Sequence, residues 1–338
     1  MTVSLCIIAY NEEKTLKSLF CDLCNQTYSH EKIEIVLVNA MSTDKTRELM
    51  DKFAEEDNGF KRVTVLDNPK KTQATGWNVA IRAAKEDVII RIDAHTMIPA
   101  DFVKKNITCL EKGEFVSGGP RPNVVAENTP WQQTLLLAEE SLFGSGIAPY
   151  RRKHHSAYVK SVFHGAYRRE VFEKAGFFDE QLGRTEDNEM NYRIRKAGYK
   201  IYYDSDIISY QHIRNTWRGM LKQKYGNGMW VGLTSGICIQ CLSIFHFVPF
   251  CFVLGILLAV LLFILEIKLP LIVLTVLYGL INLIMTFVAC KGKKKYIQYL
   301  TLPFLFLSLH LAYGVGTIFG MIKMPLWRKK YWENKDKI

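Results

Sequence analysis

Val3-Ser4-Leu5-Cys6-Ile7-Ile8-Ala9-Tyr10-Asn11-Glu12-Glu13 is the stretch that decides the fold. Its first seven residues are a short apolar run, stopped at once by a polar group. That pattern reads as a parallel strand buried on both faces. Residues 13–23 then carry apolar side chains at helical spacing. A second strand covers 33–38, and Thr43-Asp44 caps a helix that runs to about residue 55. A third strand covers 62–66, a helix 75–84, and a fourth strand 87–92 ends at Asp93. Strands alternating with helices predict an α/β domain with a mostly parallel sheet. Such sheets bind ligands beyond the carboxyl ends of their strands. The polar residues just past each strand are therefore the candidates: Tyr10, Glu12, Asn39, Asp67, Asp93 and His95.

The 338 residues include 44 Lys plus Arg against 33 Asp plus Glu, a net charge of +11. With 49% hydrophobic and 23% charged residues, the chain is too apolar for disorder and too irregular for a fibre. The mean hydropathy of +0.00 averages two unlike halves. Most charge precedes Lys224, and the long apolar runs follow Val231. The expected organisation is a cytoplasmic domain over 1–229, a membrane domain over 230–325, and a basic tail over 326–338. The N-terminus has no basic segment ahead of its apolar run, which Asn11-Glu12-Glu13 ends too early for a signal peptide. Cys21–Cys24 and Cys238–Cys241 are C-x-x-C pairs, but over two hundred residues separate them, too far for a zinc ribbon. They read as small buried side chains.

Spans are expected near 244–265 and 269–290, joined by Glu266-Ile267-Lys268, with a third candidate at 297–322. Lys291-Gly292-Lys293-Lys294-Lys295 belongs in the cytoplasm by the positive-inside rule, as two crossings require. A third full crossing would put residues 323–338, with net charge +4, outside. A re-entrant or interfacial third segment removes the conflict. Ala312, Gly316 and Gly320 suit close helix packing, and His310 reads as a structural hydrogen-bonding group.

Two constellations carry chemistry. Asp93-Ala94-His95, at a strand end, places a carboxylate and an imidazole where both reach one divalent cation. Such a cation neutralises a diphosphate leaving group; oxygen ligands suit Mg2+, and an imidazole tilts the preference toward Mn2+. A turn aspartate capping the next segment is the plainer reading. In Arg184-Thr185-Glu186-Asp187-Asn188-Glu189, Thr185 resembles an N-cap followed by a carboxylate-rich first turn. A carboxylate there serves equally as a general base for an incoming hydroxyl. Phe163-His164-Gly165-Ala166 precedes it, and Gly165 admits close approach to the backbone.

Residues 3–46 resemble the opening of family-two glycosyltransferases, in Ile8-Ala9-Tyr10-Asn11-Glu12-Glu13, Gln26-Thr27-Tyr28 and Ser42-Thr43-Asp44-Lys45-Thr46. Asp93-Ala94-His95 sits where that family has its Asp-x-Asp motif, and Thr185-Glu186-Asp187 matches its Thr-Glu-Asp motif. Arg91-Ile92-Asp93-Ala94-His95, Gly165-Ala166-Tyr167-Arg168-Arg169-Glu170-Val171-Phe172 and Phe178-Asp179-Glu180 resemble the succinoglycan-type exopolysaccharide enzymes. The resemblance covers roughly the whole chain. It implies a GT-A-like, Rossmann-type α/β sheet domain followed by a helical membrane domain. It implies inverting, metal-dependent transfer from a nucleotide-diphosphate sugar to a polyprenyl-diphosphate-linked oligosaccharide at the cell membrane, with polysaccharide-assembly proteins as partners. Ala9, Tyr10, Glu12, Asn39 and Asp93 would meet the nucleotide sugar, and Asp93 and His95 the cation. Asp187 would be the base with Glu186 beside it and Arg184 holding its charge; Gly165 and Arg184 would face the acceptor.

The chain departs from the family at Asn39, where an Asp is usual, and at His95, which replaces the second Asp. It lacks Gln-x-x-Arg-Trp: Gln223-Lys224-Tyr225-Gly226-Asn227-Gly228-Met229-Trp230 has Met229 before the Trp, against a processive polymerase. The basic clusters, Arg151-Arg152-Lys153-His154-His155 among them, flank the site or the membrane, which favours anionic lipid and lipid diphosphate over nucleic acid. Two rival readings remain: transfer to a polyprenyl monophosphate, and an inactive membrane scaffold that keeps nucleotide binding.

Overall fold

The first strand, β1 (Val3–Ala9), is apolar apart from Ser4, whose hydroxyl donates to Glu34, because it lies inside a sheet covered on both faces. Val3, Leu5 and Ile7 face one core and Cys6 the other, the two-residue alternation of a strand. The computed structural model describes residues 1–144 and 155–335. Arg151 to His154 of the sequence-predicted basic cluster, and Asp336 and Lys337 of the tail, lie outside the described residues.

These fall into two units. The first holds 1–122 and 155–212, and the second 123–144 and 213–335. The second unit thus begins upstream of residue 229 and includes a stretch from mid-chain. In chain order, the first unit opens with β1, α1 (Leu16–Cys24), β2 (Ile33–Asn39), α2 (Thr46–Glu55), β3 (Arg62–Asp67), α3 (Gln73–Ala83) and β4 (Val88–Asp93). It continues with β5 (Thr96–Met97), α4 (Phe102–Glu111) and β6 (Val116–Gly118). The second unit contributes β7 (Asn123–Val124) and α5 (Pro130–Glu140). The first unit resumes with β8 (Ala157–Val159), β9 (Ala166–Arg168), α6 (Arg169–Ala175), α7 (Glu186–Lys196), β10 (Ile201–Tyr203) and β11 (Tyr210–His212). The rest is helical: α8 (Trp217–Thr234), α9 (Val248–Ile264), α10 (Leu269–Cys290) and α11 (Leu302–Lys335).

The eight-stranded sheet has the order β3-β2-β1-β4-β9-β6-β10-β8. The first four strands are parallel, as the sequence pattern predicts. β9 and β8 run antiparallel to their neighbours, so the sheet is mixed. Short, polar-flanked pieces such as β8 and β9 carry too little periodicity to show their direction in sequence. α1 starts at Leu16 rather than near residue 13, because Glu13 accepts from the Lys45 amide instead of entering a helix.

In the second unit, Leu135 and Ala138 of α5, Met220 of α8, and Leu302, Leu305, Phe306 and Leu309 of α11 form one core. Lys224 and Glu139 are a buried ion pair at 2.8 Å. His310 is hydrogen-bonded to the Tyr278 hydroxyl and the Phe143 carbonyl, the structural role expected of it. Cys238 and Cys241 form a disulfide, while Cys21 and Cys24 are exposed thiols, so neither pair is simply a pair of buried side chains. Among the described residues, three helical segments are long and apolar enough to cross a membrane: Ile244–Ile264, Leu269–Cys290 and Ile297–Lys335.

Candidate active site

Strand register lines up the predicted strand-end residues. Ala9 pairs with Asn39, Asn39 with Asp67, and Ile8 with Asp93. The carboxyl ends of β1 to β4 therefore form one polar rim. Directly beyond β1 and β2, Asn11 and Met41 adopt left-handed backbone with φ of 55° and 57°. Asn tolerates this region, whereas Met rarely visits it, and such strain gathers at functional rims.

The β1 turn is tied to the start of α2. Asn11 Oδ1 accepts from the Thr43 amide at 2.8 Å, and the Glu12 amide donates to Thr46 Oγ1 at 2.7 Å. The Ala9 carbonyl accepts from the Ala40 amide. Tyr10 stands half exposed at the rim. The Asn39 amide is spent inside the protein. Its Oδ1 accepts from Ser42, and its Nδ2 donates to Asp67 at 2.9 Å. The charge absent at position 39 is thus present one strand away, on Asp67. The Asn39 hydrogen bond and Arg47 hold that carboxyl below its ordinary range, against the effect of burial.

Asp93 is buried at the end of β4. His164 lies 3.4 Å from it and is itself fixed by Thr96 and Ser209. Burial pushes the Asp93 carboxyl up, but His164, His95 and Arg91 outweigh it and hold it well below the carboxylate range. Burial pushes His164 down, toward the neutral imidazole. His95 contacts Glu12 Oε1 at 3.3 Å and Gln211 Nε2 at 2.8 Å. His212 lies within their electrostatic reach, pushed down by burial and then by His95.

The second constellation meets the first through Arg91. This guanidinium is buried between the rings of Trp77 and Phe178, 4.3 and 4.4 Å from their centroids. Its Nη1 lies 2.8 Å from Asp187 Oδ1. Asp187 and Glu186 open α7, with Thr185 at the N-cap position but making no side-chain cap bond. Asp187 is partly open to solvent, whereas Glu186 is buried. Burial and then the neighbouring Asp187 charge push the Glu186 carboxyl up to about 8. Two adjacent carboxyls are thereby set apart as one solvent-reaching group and one neutral acid.

A raised carboxyl pKa stabilises nothing at high pH. Below the unfolded value near 4.5 it has no cost, and stability falls as pH rises through that value toward 8. Glu186→Gln is expected to flatten that decline, read as a smaller fall in the Tm of the full chain between pH 6 and pH 8. An unchanged slope would show that Glu186 is ionised in the fold.

Gly165 and Asp187 both meet Arg91. The Gly165 carbonyl accepts from the Arg91 amide, and a Cβ at Gly165 would stand 2.9 Å from the Tyr167 hydroxyl. The close approach that this glycine permits is by Tyr167. A cation that meets Asp187 is Arg91, from β4. Arg91 is legible as a charge inside the apolar strand Val88-Ile89-Ile90-Arg91-Ile92, because a buried charge must be paired. No sequence signal pointed to Gln211, His212 or Trp77.

For a divalent cation the donor chemistry fits: an ionised Asp93 carboxylate with His95 two residues on. Among the described residues no three His, Cys, Asp or Glu converge as a closed cage. A cation that takes its remaining ligands from substrate phosphates and water does not need one.

Residues 4–176 match the model of glycosyl transferase family 2. The chain belongs to that family. Succinoglycan biosynthesis protein ExoA of Rhizobium meliloti is 33% identical over 174 residues, half of each chain. A second family-two relative, from Methanococcus voltae, is 26% identical over 237 residues. It is a dolichyl N-acetyl-α-D-glucosaminyl phosphate 3-β-D-2,3-diacetamido-2,3-dideoxy-β-D-glucuronosyltransferase, and the match covers 68% of this chain and 73% of that one. The family-two fold is shared with the mannosyltransferase PcManGT of Pyrobaculum calidifontis, solved with GDP-Man and Mn2+. The TM-score is 0.60 at 16% identity, over 94% of this chain and 86% of that one. S. aureus TarS 1-349 with UDP-GlcNAc gives 0.52 at 18% identity, over 94% and 90%.

Proposed function

We propose that this family-two protein is an inverting glycosyltransferase that moves a sugar from a nucleotide-diphosphate sugar to a lipid-linked acceptor in surface-polysaccharide assembly. The observation that carries this reading is the Arg91–Asp187 pair. It fixes a solvent-reaching carboxylate beside the strand end that bears Asp93. Asp187 takes the proton of the acceptor hydroxyl as that oxygen bonds to the anomeric carbon. The bond from that carbon to the diphosphate oxygen breaks on the opposite face, and the diphosphate leaves with its electron pair. Positioning supplies much of the rate, because two reactants become one assembly. Ala9, Tyr10, Glu12 and Asn39 line the nucleotide side of the rim. Asp93 and His95 would hold Mn2+ or Mg2+, which when bound neutralises charge on the leaving diphosphate.

The relatives support the donor and acceptor classes. TarS and PcManGT were solved with nucleotide sugars, and the Methanococcus voltae relative is named for transfer onto a dolichyl-phosphate-linked sugar. The proposed organisation keeps a catalytic domain over 1–229 on the cytoplasmic side, a multi-pass membrane domain over 230–325, and the basic tail beyond. The lysines between 291 and 295 support that orientation.

A panel of nucleotide sugars with membrane extract as acceptor tests the activity. Asp93→Ala should abolish transfer, and a chelator should silence the parent chain. His95→Ala should weaken transfer and shift the Mn2+-to-Mg2+ preference. Full activity in excess chelator would remove the cation from this reading.

A further inference from the structure

α8 and α11 run side by side in the same direction. The Trp217 indole donates to Ser308 Oγ, and its ring meets Phe304. Further along, Gly228 faces the backbone of Tyr313, Gly232 that of Thr317, and Gly316 and Gly320 face Tyr225 and Met229. Gly236 meets Met324, and Trp230 packs edge-on against Trp327. Both residue numbers rise together along the pair, and the four glycines bring the two backbones into contact. The two helices therefore share one depth at every level.

That parallel packing constrains how the chain crosses a bilayer. α9 and α10 carry no charged residue and their side chains are largely uncovered by protein, as lipid-facing crossings require. Together they form a hairpin closed by Glu266 to Lys268, so the start of α9 and the end of α10 lie on one side. From the end of α10 the chain reaches α11 through a segment carrying four lysines and one 3-10 turn (Ile297–Thr301), no crossing segment. The start of α11 lies on that same side. Parallel packing puts the start of α8 there too, and from the end of α8 the chain reaches α9 through residues 235–247, which hold two short 3-10 turns and no crossing segment of their own. Both ends of α8 are thus on one side, so α8 does not cross, and neither does α11.

We infer that only residues 248–290 cross the membrane, out and back. The α8–α11 pair lies along the leaflet on the side where the chain enters, with the segment 323–335 at its surface. This rests on the membrane placement of α9 and α10. The surface fits an anionic leaflet. Phe319, Ile322 and Leu326 are exposed apolar groups, followed by exposed Lys323, Arg328, Lys329, Lys330 and Trp332. Lysine stems and tryptophan suit a headgroup region, and each basic residue there adds attraction to anionic lipid. Composition alone counts Ile297–Lys335 as a third crossing; the packing of α8 against it removes that crossing, and with it the conflict with the positive-inside rule.

The full chain in intact cells tests this with a membrane-impermeant maleimide, read as labelling gained over the parent. Glu266→Cys should label from outside, and Glu333→Cys only after permeabilisation. External labelling of Glu333→Cys would overturn the inference. A Glu266→Cys that labels only after permeabilisation would overturn instead the crossing of α9 and α10. A C-terminal epitope tag supplies a readout without cysteines: protease should remove it in inside-out vesicles and spare it in spheroplasts, and the reverse pattern overturns the placement. With the chain reconstituted in vesicles, trypsin should cut the segment 323–335 more slowly with phosphatidylglycerol than with phosphatidylcholine alone. Equal rates would rule out the anionic leaflet as its partner.

Discussion

Asp187→Asn is expected to lower sugar transfer by about a hundredfold or more, the scale of losing a general base. The substitution keeps the shape of the side chain and its place at the start of α7, and removes the proton acceptor. The affinity for the nucleotide sugar should change little, because Asp187 addresses the acceptor. The measurement is kcat and the donor KM with a fixed lipid-linked acceptor. A fall in kcat with the donor KM held marks a base, whereas a rise in donor KM alone would assign Asp187 to nucleotide binding. Glu186→Gln is the matched comparison. A neutral acid in the fold resembles glutamine more than glutamate, so this variant should lose far less. If Glu186→Gln is inactive and Asp187→Asn transfers normally, the two roles are exchanged. If both transfer normally, the carboxylates only terminate a helix, where their placement against the helix dipole is favourable in any case.

The parallel half of the sheet was legible because β1, β2 and β4 are buried on both faces and so read as apolar runs, interrupted before their ends only by Ser4, Glu34 and Arg91. The carboxyl-end candidates followed from that topology, and register confirms that Ala9, Asn39, Asp67 and Asp93 share a rim. The pairing of Asp187 was not legible. Its partner comes from ninety-six positions earlier in the chain, on another element, and only the fold brings them together. Local order suggested only Arg184. Gly165 is a related case: a glycine announces close approach but not what approaches, and within the protein it is Tyr167. The membrane segments show the same limit. Hydropathy weighs each helix alone, and α11 is apolar enough for a crossing. On the placement inferred above its depth is set by α8, whose exposed Arg218 and Lys222 hide it from any scan for membrane spans.

Arg91→Leu should destabilise the chain by about 3 kcal/mol or more, the lower end of the cost of breaking a buried ion pair from one side. The lower end applies because Asp187 is partly open to solvent, so water compensates some of the stranded charge. The loss also includes the stacking of the guanidinium on Trp77 and Phe178, where a cation between two rings is worth on the order of 1–2 kcal/mol. Arg91→Lys separates the contributions. It keeps a positive charge but loses the planar fork and the stack, so it should recover part of the stability and little of the activity. The decisive measurement is a double-mutant cycle. In Arg91→Leu with Asp187→Asn, no uncompensated carboxylate remains beside the leucine, so the double variant should be more stable than the sum of the single losses implies, by more than about 0.5 kcal/mol. Transfer should stay abolished in it, because stability returns without the base. Additive losses within that margin would mean that Arg91 acts only as a packing residue between its two rings, and Asp187 would then owe its position to α7 alone.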